Sequence, residues 1–540
     1  MTTSFRLPRS RRVAATAAIG ALAAAAVAVP SASAGATTSL PRVTAKPAVL
    51  PSDAQIQAAI DQVDTRAQQL MALSHMPGMA VAVVWKGKIV FAKGYGVRKV
   101  GSPGLIDTNT VFQLASVSKS VGATVIAREV TKGTVAWTTP VKPNYRDLVL
   151  DDPWVTSHVT VADMYAHRSG LRDHAGDLLE ELGYTQKQIA SKYRYEKLLP
   201  TRTQFHYTNF GMAIAAQSVA NKAGRSWWTL SQRDIYGPLG MTHTSSRFAD
   251  YVNNPDRAWT HSLVNGKFVA KTVRNPDYEG AAASVSSSVT DMAKWLSMVL
   301  EEGKVNGKQL ISPEALQPAV LPEIISRAAT TPGGRSGFYG FGFNVDTTET
   351  LGVRLSHSGA FSAGVDTNYV GFPNLDLGIV ALSNGYPQGY PEVLNAEFGD
   401  LVEHGKLTVD WLTIYTNAFK ALTEPLGSLV GKKRPAKPVV ARPLQNYLGA
   451  YKNPYYGPVS VTKRGSRLYL TIGANRTTYR LYLWNKDVWT FTPVGESATP
   501  GSISQATFSK PRAGKPQQLW LEYYSSNPDG TYNTLGTFRR

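Results

Sequence analysis

Cysteine is absent from all 540 residues. Disulfides, a cysteine nucleophile, thiolate zinc sites and iron–sulfur clusters are excluded together. G-x-S-x-G is missing too, which removes the nucleophile elbow of the α/β-hydrolases. There is no H-E-x-x-H, no Walker-type loop and no Gly-rich dinucleotide fingerprint. The nine histidines show no metal-ligand spacing, so neither a metal nor another cofactor is expected. Beyond one N-terminal stretch, no apolar run is long enough to span a bilayer. Acidic residues are scarce, 38 against 57 basic, a formal charge of +19. What remains is a globular composition, 43% hydrophobic and 18% charged, with length for two to four domains at roughly 100–200 residues each.

Residues 1–34 read as an export signal. Arg6, Arg9, Arg11 and Arg12 form a basic start, Val13 to Val29 is Ala-rich and apolar, and Ala32-Ser33-Ala34 supplies a small-residue cleavage pattern. An uncleaved anchor is the competing reading, but the run is short and only weakly hydrophobic. Arg11-Arg12 leaves twin-arginine export open beside the general route. The mature protein is therefore expected outside the cytoplasm, secreted or at the cell envelope, without a transmembrane span. The charge is uneven. Residues 423–540 carry 17 basic and 5 acidic groups, whereas residues 35–422 carry 36 and 33.

A spacer (35–52) precedes a helix in which Ile56, Ile60, Val63, Leu70 and Leu73 recur at helical spacing. Met79–Trp85 and Ile89–Tyr95, separated by Lys86-Gly87-Lys88, predict a hairpin. A helix-rich section runs to about Gly303. Strand patterns return at Phe341–Val345, Leu351–Leu355, Thr367–Phe372 and Leu377–Leu382, and helical ones at Pro391–Leu401 and Trp411–Leu422. The expected fold class is α+β: an antiparallel sheet flanked by helices, begun by early residues, finished by late ones and interrupted by a helical insertion, over 53–422. A basic, Pro-rich linker (423–443) leads to 444–540, whose short alternating runs predict a small all-β barrel. These runs include Val459–Thr462, Leu468–Ile472, Tyr479–Trp484, Val488–Phe491, Leu519–Tyr523 and Leu535–Phe538.

Three short motifs carry chemistry. Ser116-Val117-Ser118-Lys119 opens a predicted helix, where positions i and i+3 share a face, so the Lys119 ammonium reaches the Ser116 hydroxyl. A helix start also offers free N–H groups to an oxyanion. Ser460-Val461-Thr462-Lys463 repeats the spacing within a strand, where i and i+3 diverge. Tyr207-Thr208-Asn209 combines a phenol able to relay protons with an amide able to orient a carbonyl. Tyr415-Thr416-Asn417 repeats its letters inside a helical run. His357-Ser358-Gly359 ends a predicted strand, where small residues let a substrate backbone pair with the edge. His174-Ala175-Gly176, in a polar helical setting, and Arg168-Ser169-Gly170 match it loosely.

In this order, S-V-S-K, Y-T-N and H-S-G resemble the penicillin-recognising serine hydrolases, closest to the branch of class C β-lactamases, D-aminopeptidases, S12-type carboxypeptidases and esterases. His167-Arg168-Ser169-Gly170-Leu171 and Tyr339-Gly340-Phe341-Gly342 are similar to further stretches of that family. The C-terminal hundred residues resemble the lipocalin-like barrel appended to some S12-type peptidases. The resemblance implies a β-lactamase/transpeptidase-like fold and an acyl-enzyme at Ser116. Lys119 and Tyr207 would be the proton-transfer pair, with the choice of base open. Asn209, His357, Ser358 and Gly359 would bind substrate, and the N–H groups of Ser116 and Ala360 would form the oxyanion hole. His357 stands where β-lactamases carry lysine. Being largely neutral above about pH 6.5, it favours peptide or ester substrates over β-lactams. Arg354 and Arg335 are the cations that could compensate. A true β-lactamase, and a non-hydrolytic penicillin-binding-like envelope protein, are the alternatives. The basic C-terminal part suggests contact with an anionic envelope polymer, and export argues against nucleic acid.

Overall fold

A computed structural model describes residues 50–540 apart from 510, 513–514 and 527–531. The export signal and spacer residues 35–49 lie outside the described residues. Helix α1 (Asp53–Ser74) starts where Ser52 Oγ accepts the Gln55 N–H at 3.2 Å. It buries Ile56, Ile60, Val63 and Leu70, but Leu73, expected on that stripe, is 57% exposed. The stripe closes at Leu70, one turn before His75 turns left-handed and stops the helix.

Strands β1 (Gly78–Trp85) and β2 (Lys88–Gly96) form the expected hairpin, with Lys86 and Gly87 both at positive φ. After helix α2 (Ser118–Thr131), helix α3 (Asn209–Lys222) and helix α4 (Val289–Leu300), the chain returns to the sheet. It does so as β3 (Ile324–Arg327), β4 (Gly337–Tyr339), β5 (Asn344–Thr347), β6 (Val353–Phe361), β7 (Val365–Phe372) and β8 (Leu377–Ser383). Their spatial order is β2-β1-β8-β7-β6-β5-β4-β3, antiparallel throughout. Met79 pairs with Ser383, so the earliest strand and the last one of this sheet lie side by side, one strand in from the β2 edge.

β1 is buried on both faces, and its pleat divides it cleanly. Met79, Val81 and Val83 pack with α1, α5 (Tyr390–His404) and α6 (Trp411–Leu422), while Ala80, Ala82 and Val84 pack with α2 and α4.

Two strand expectations change. The run Phe341–Val345 is broken: Gly342 bends at φ +82°, and a Cβ there would lie 2.6 Å from the Lys119 carbonyl. The chain turns at this point to close against α2, and Ser120 Oγ donates to the Gly342 carbonyl. β6 runs on past the predicted Leu355 to Phe361, so His357 lies mid-strand rather than at a strand end.

Residues beyond 444 form β9 (Gly449–Tyr451), β10 (Val459–Arg464), β11 (Arg467–Ile472), β12 (Thr477–Asn485), β13 (Val488–Phe491), β14 (Ser504–Phe508), β15 (Gln518–Leu521) and β16 (Thr537–Arg539). They are ordered consecutively in one eight-stranded sheet, which a Lys452–Arg539 bridge nearly closes into a barrel. Leu468, Leu470, Ile472, Tyr479 and Leu481 point inward. β14 escaped the pattern reading, because Ser504, Gln505 and Thr507 dilute its alternation.

The barrel is not a loose appendage. Its apolar interior is continuous with the core around α2 and α4. Tyr184 Oη donates to the Tyr456 carbonyl at 2.8 Å, and Ser497 N–H to Glu181 Oε1 at 2.7 Å. Tyr455 Oη donates to Glu196 Oε2 at 3.1 Å.

Candidate active site

Ser116 lies on a single 3₁₀ turn, Ala115–Val117, leading directly into α2. Ala115 before it is held at φ +46°, a conformation costing a side-chain-bearing residue about 1–3 kcal/mol. This turn is fixed from the sheet side. Thr367 Oγ1 donates to the Leu114 carbonyl at 2.9 Å, and Gly359 packs so closely that a Cβ there would lie 2.1 Å from Leu114 O and 3.0 Å from Ser116 N. Glycine is required at 359 because the nucleophile's backbone occupies that space.

Lys119, wholly buried, follows one turn later. Its Nζ is 3.0 Å from Ser116 Oγ, 2.7 Å from Asn209 Oδ1 and 3.0 Å from the Ala282 carbonyl. Burial pulls its pKa down to about 7, against the pull of the Glu279 and Asp177 carboxylates and with help from Arg274. As a neutral amine, it can give its two protons to Asn209 and Ala282 and present its lone pair to the Ser116 hydroxyl. That is the arrangement a general base needs.

Tyr207 precedes α3 and is held by its backbone. Its N–H donates to Asp173 Oδ1 at 2.6 Å, and its carbonyl accepts from His174 N at 2.8 Å. The phenol is buried against Ser116, with Lys119 Nζ 4.6 Å from the ring centre. Burial raises its pKa, and the contact with Ser116 opposes the rise only in part, so it stays a neutral phenol. Asn209 is committed at both ends, because its Nδ2 donates to Asp177 Oδ2 at 2.9 Å. Expected as a substrate ligand, it couples Lys119 to Asp177 in this structure.

His357 also changes character. Its Nδ1 donates to the Ser358 carbonyl at 2.7 Å and its Nε2 accepts from Tyr339 Oη at 2.9 Å. Burial, aided by Lys119, brings its pKa to about 3. The imidazole is neutral, with neither nitrogen left for a substrate carboxylate. Its strand fits the expected recognition edge: β5 covers β6 only as far as Ser356, so His357–Phe361 have β7 on one side and an open edge on the other. Ser358, Gly359 and Ala360 line it.

The compensating cations lie elsewhere. Arg354 pairs with Asp346 at 3.0 Å, and Arg335 is exposed. The cation that acts on the site is Arg274, which binds Glu279 and Glu180 and stacks over Phe361 at 5.0 Å. From the barrel, Glu496 takes the Ser362 N–H and hydroxyl and approaches Arg274 at 3.9 Å. None of Arg274, Glu279 and Glu496 falls in a motif, and no spacing signal identifies them.

His174, set aside on its letters, belongs to the second layer. It sits in a turn at φ +58°, bonded to Asp177 at 2.9 Å. Burial disfavours its charge, but Asp177 outweighs this and the net pKa is raised. The other copies stay apart. Ser460 and Lys463 lie on β10, Tyr415 packs against Gly389 beside Phe419, and Arg168 pairs with Asp163 and Glu323.

Comparisons with known proteins bear on the family and the fold. The family model described as Beta-lactamase matches residues 63–402, and a domain of unknown function (DUF3471) matches 433–533. "Unguisins hydrolase ungD'" of Aspergillus campestris is 26% identical over 417 residues, covering 71% of this chain and 73% of that protein. "Protein flp" of Staphylococcus aureus is 21% identical over 380 residues, 68% and 72% respectively. The octameric penicillin-binding protein homologue from Pyrococcus abyssi superposes with a TM-score of 0.55 at 20% identity, covering 89% of this chain and all of that one. The last likeness concerns the fold.

Proposed function

The chain belongs to the beta-lactamase family, and from that premise we propose an exported serine hydrolase that acylates Ser116 with a peptide or small ester, peptides containing D-residues included. The observation that carries the reading is Lys119, buried 3.0 Å from the Ser116 hydroxyl with its pKa brought to about 7.

Ser116 Oγ attacks the substrate carbonyl while its proton passes to Lys119 Nζ. The N–H groups of Ser116 and Ala360 receive the oxyanion. As the tetrahedral intermediate collapses, the proton moves through Tyr207 Oη to the leaving amine or alkoxide, and an ester to Ser116 remains. Water, activated by the same pair, releases the acid. The substrate backbone pairs with the open edge at 358–360.

The neutral His357 offers nothing to a β-lactam carboxylate, which favours esters and peptides over β-lactams. A relative named a hydrolase supports turnover over mere binding. For the barrel we propose contact with an anionic envelope polymer. Its outer face carries Arg464 stacked on Tyr469 and Arg480 on Tyr482, beside exposed Lys463 and Arg467.

The test is adduct formation with a fluorophosphonate, located by peptide mass, together with turnover of esters, D- and L-aminoacyl amides and a chromogenic cephalosporin. A Ser116 adduct, brisk ester or amide turnover and trace cephalosporin hydrolysis are expected, all lost in Ser116→Ala. An unmodified Ser116 overturns the reading. Brisk cephalosporin turnover replaces it with a true β-lactamase.

A further inference from the structure

Tyr207 lies on a stretch, 205–208, that is neither helix nor strand. A catalytic phenol carried there needs its main chain held by other parts of the fold. Segment 167–174 does this. The His206 N–H donates to the His167 carbonyl at 2.8 Å, the Tyr207 N–H to Asp173 Oδ1 at 2.6 Å and the Thr208 N–H to His167 Nδ1 at 3.1 Å. In return, the His174 N–H donates to the Tyr207 carbonyl at 2.8 Å. Along an extended stretch the N–H groups alternate between the two edges. His167 therefore grips one edge on both sides of Tyr207, while Asp173 and His174 grip the other.

The imidazole also meets the phenol ring. Its centre lies 4.5 Å from that of Tyr207, 5.0 Å from Tyr339 and 5.4 Å from Phe205. Tyr339 is the residue whose hydroxyl holds His357 on the recognition strand. His167 is wholly buried, and burial, with Lys119, His357 and His174 nearby, holds its pKa well below the usual range. The ring is neutral, and only a neutral imidazole keeps a lone pair at Nδ1 for the Thr208 N–H.

Filling the space between Tyr207 and Tyr339 would require a ring alone. It would not require an acceptor at Nδ1, nor a backbone at φ +56°, which side-chain-bearing residues rarely adopt. Both features serve the two bonds that flank Tyr207.

We propose that His167 is a positioning residue for the proton relay, holding the Tyr207 phenol at Ser116 from the edge opposite Asp173. This rests on the reading of Ser116 as the acylated nucleophile and assigns His167 to one step of it. When the tetrahedral intermediate collapses, the bond from the carbonyl carbon to the leaving oxygen or nitrogen breaks, and that atom takes up the proton passed through Tyr207. A misplaced phenol therefore penalises strongly basic leaving groups, which depart only when protonated, more than weakly basic ones.

The test measures kcat/KM of the full-length protein for the ethyl and p-nitrophenyl esters of one carboxylic acid, so that both report transfer of the same acyl group. His167→Asn keeps an amide acceptor for the Thr208 N–H, and His167→Phe keeps a ring without one. Both variants should lose more on the ethyl ester than on the nitrophenyl ester, His167→Phe by about 10²-fold more and His167→Asn by less. In a Tyr207→Phe background, which has no hydroxyl to position, this difference should vanish. Tm reports folding, and either variant carries the test if the other does not fold. Losses equal on the two esters, or undiminished beside Tyr207→Phe, make His167 a packing residue and overturn the inference while Ser116 acylation stands. A wild type that forms no fluorophosphonate adduct at Ser116 overturns the acylation reading, and the role of His167 with it.

Discussion

Lys119 Nζ meets three acceptors, one of which is the group it must deprotonate. An ammonium would donate to all three and hold the Ser116 hydroxyl as a mere acceptor. Activity therefore depends on the neutral amine, and kcat/KM for an ester should rise through an ascending limb near pH 7, where burial has brought the Lys119 pKa. Lys119→Met removes the base, and a loss of about 10²–10⁴-fold is expected in steady-state ester hydrolysis. Lys119→Arg, a permanent cation, should not rescue it. Glu279 provides a finer test. Its carboxylate is the strongest charge favouring protonated Lys119, so Glu279→Gln should lower the lysine pKa further and move the ascending limb to lower pH. A limb that stays put, or moves up, would count against Lys119 as the titrating base.

At the scale of elements, the site is a contact between the 3₁₀ turn before α2 and the middle of β6. Gly359→Ala puts a methyl group against Leu114 O and Thr367 Oγ1, neither of which is the end of a flexible chain. Overpacking of this kind costs about 1–3 kcal/mol, and here the strain falls on the backbone of the nucleophile. Thermal unfolding should fall by several degrees while acylation of Ser116 falls far more steeply. A Gly359→Ala variant that loses stability but acylates normally would show that the contact is packing alone. This contact also marks what was legible in the residues. The i, i+3 relation of Ser116 and Lys119 is local geometry, so it can be read before any fold is known. The apolar runs of β1 and β8 likewise declare themselves, because strands buried on both faces need no partner pattern. His357 could be found but not placed, since β6 continues past it through Ser358, Gly359 and Ala360, which have no strand propensity of their own. Arg274 and Glu279 were invisible: they sit in an aperiodic stretch, and only the fold brings them to a lysine some 155 residues earlier.

At the scale of the whole molecule, residues 423–540 carry 17 basic and only 5 acidic groups, yet the barrel's interface with the rest of the chain is built on buried acids. Glu181 receives Ser497 N–H and Tyr523 Oη, and Glu196 receives Tyr455 Oη. Burial raises the pKa of each to about 7, despite these hydrogen bonds. In the unfolded chain both titrate near 4.3. Between about pH 4.3 and 7 the native state therefore holds more protons than the unfolded state, and the contribution of these groups to stability falls as pH rises, the lost part being complete above about 7. His167 and His357, buried neutral with lowered pKa values, give the opposite slope over the acidic part of this range. The informative quantity is thus a difference between proteins rather than the wild-type curve. Glu181→Gln/Glu196→Gln, which keeps the acceptor oxygens but cannot ionise, should be less pH-sensitive in this sense: its Tm relative to wild type should climb from pH 5 to about pH 7 and level off above it. Limited proteolysis near Lys432-Lys433-Arg434, which are exposed, should follow the same trend, with the wild-type barrel released more readily at pH 8 than at pH 5 when compared with the double variant. A constant Tm difference across that range would mean that the two carboxyls are ionised throughout, and that the interface holds its charges without titrating.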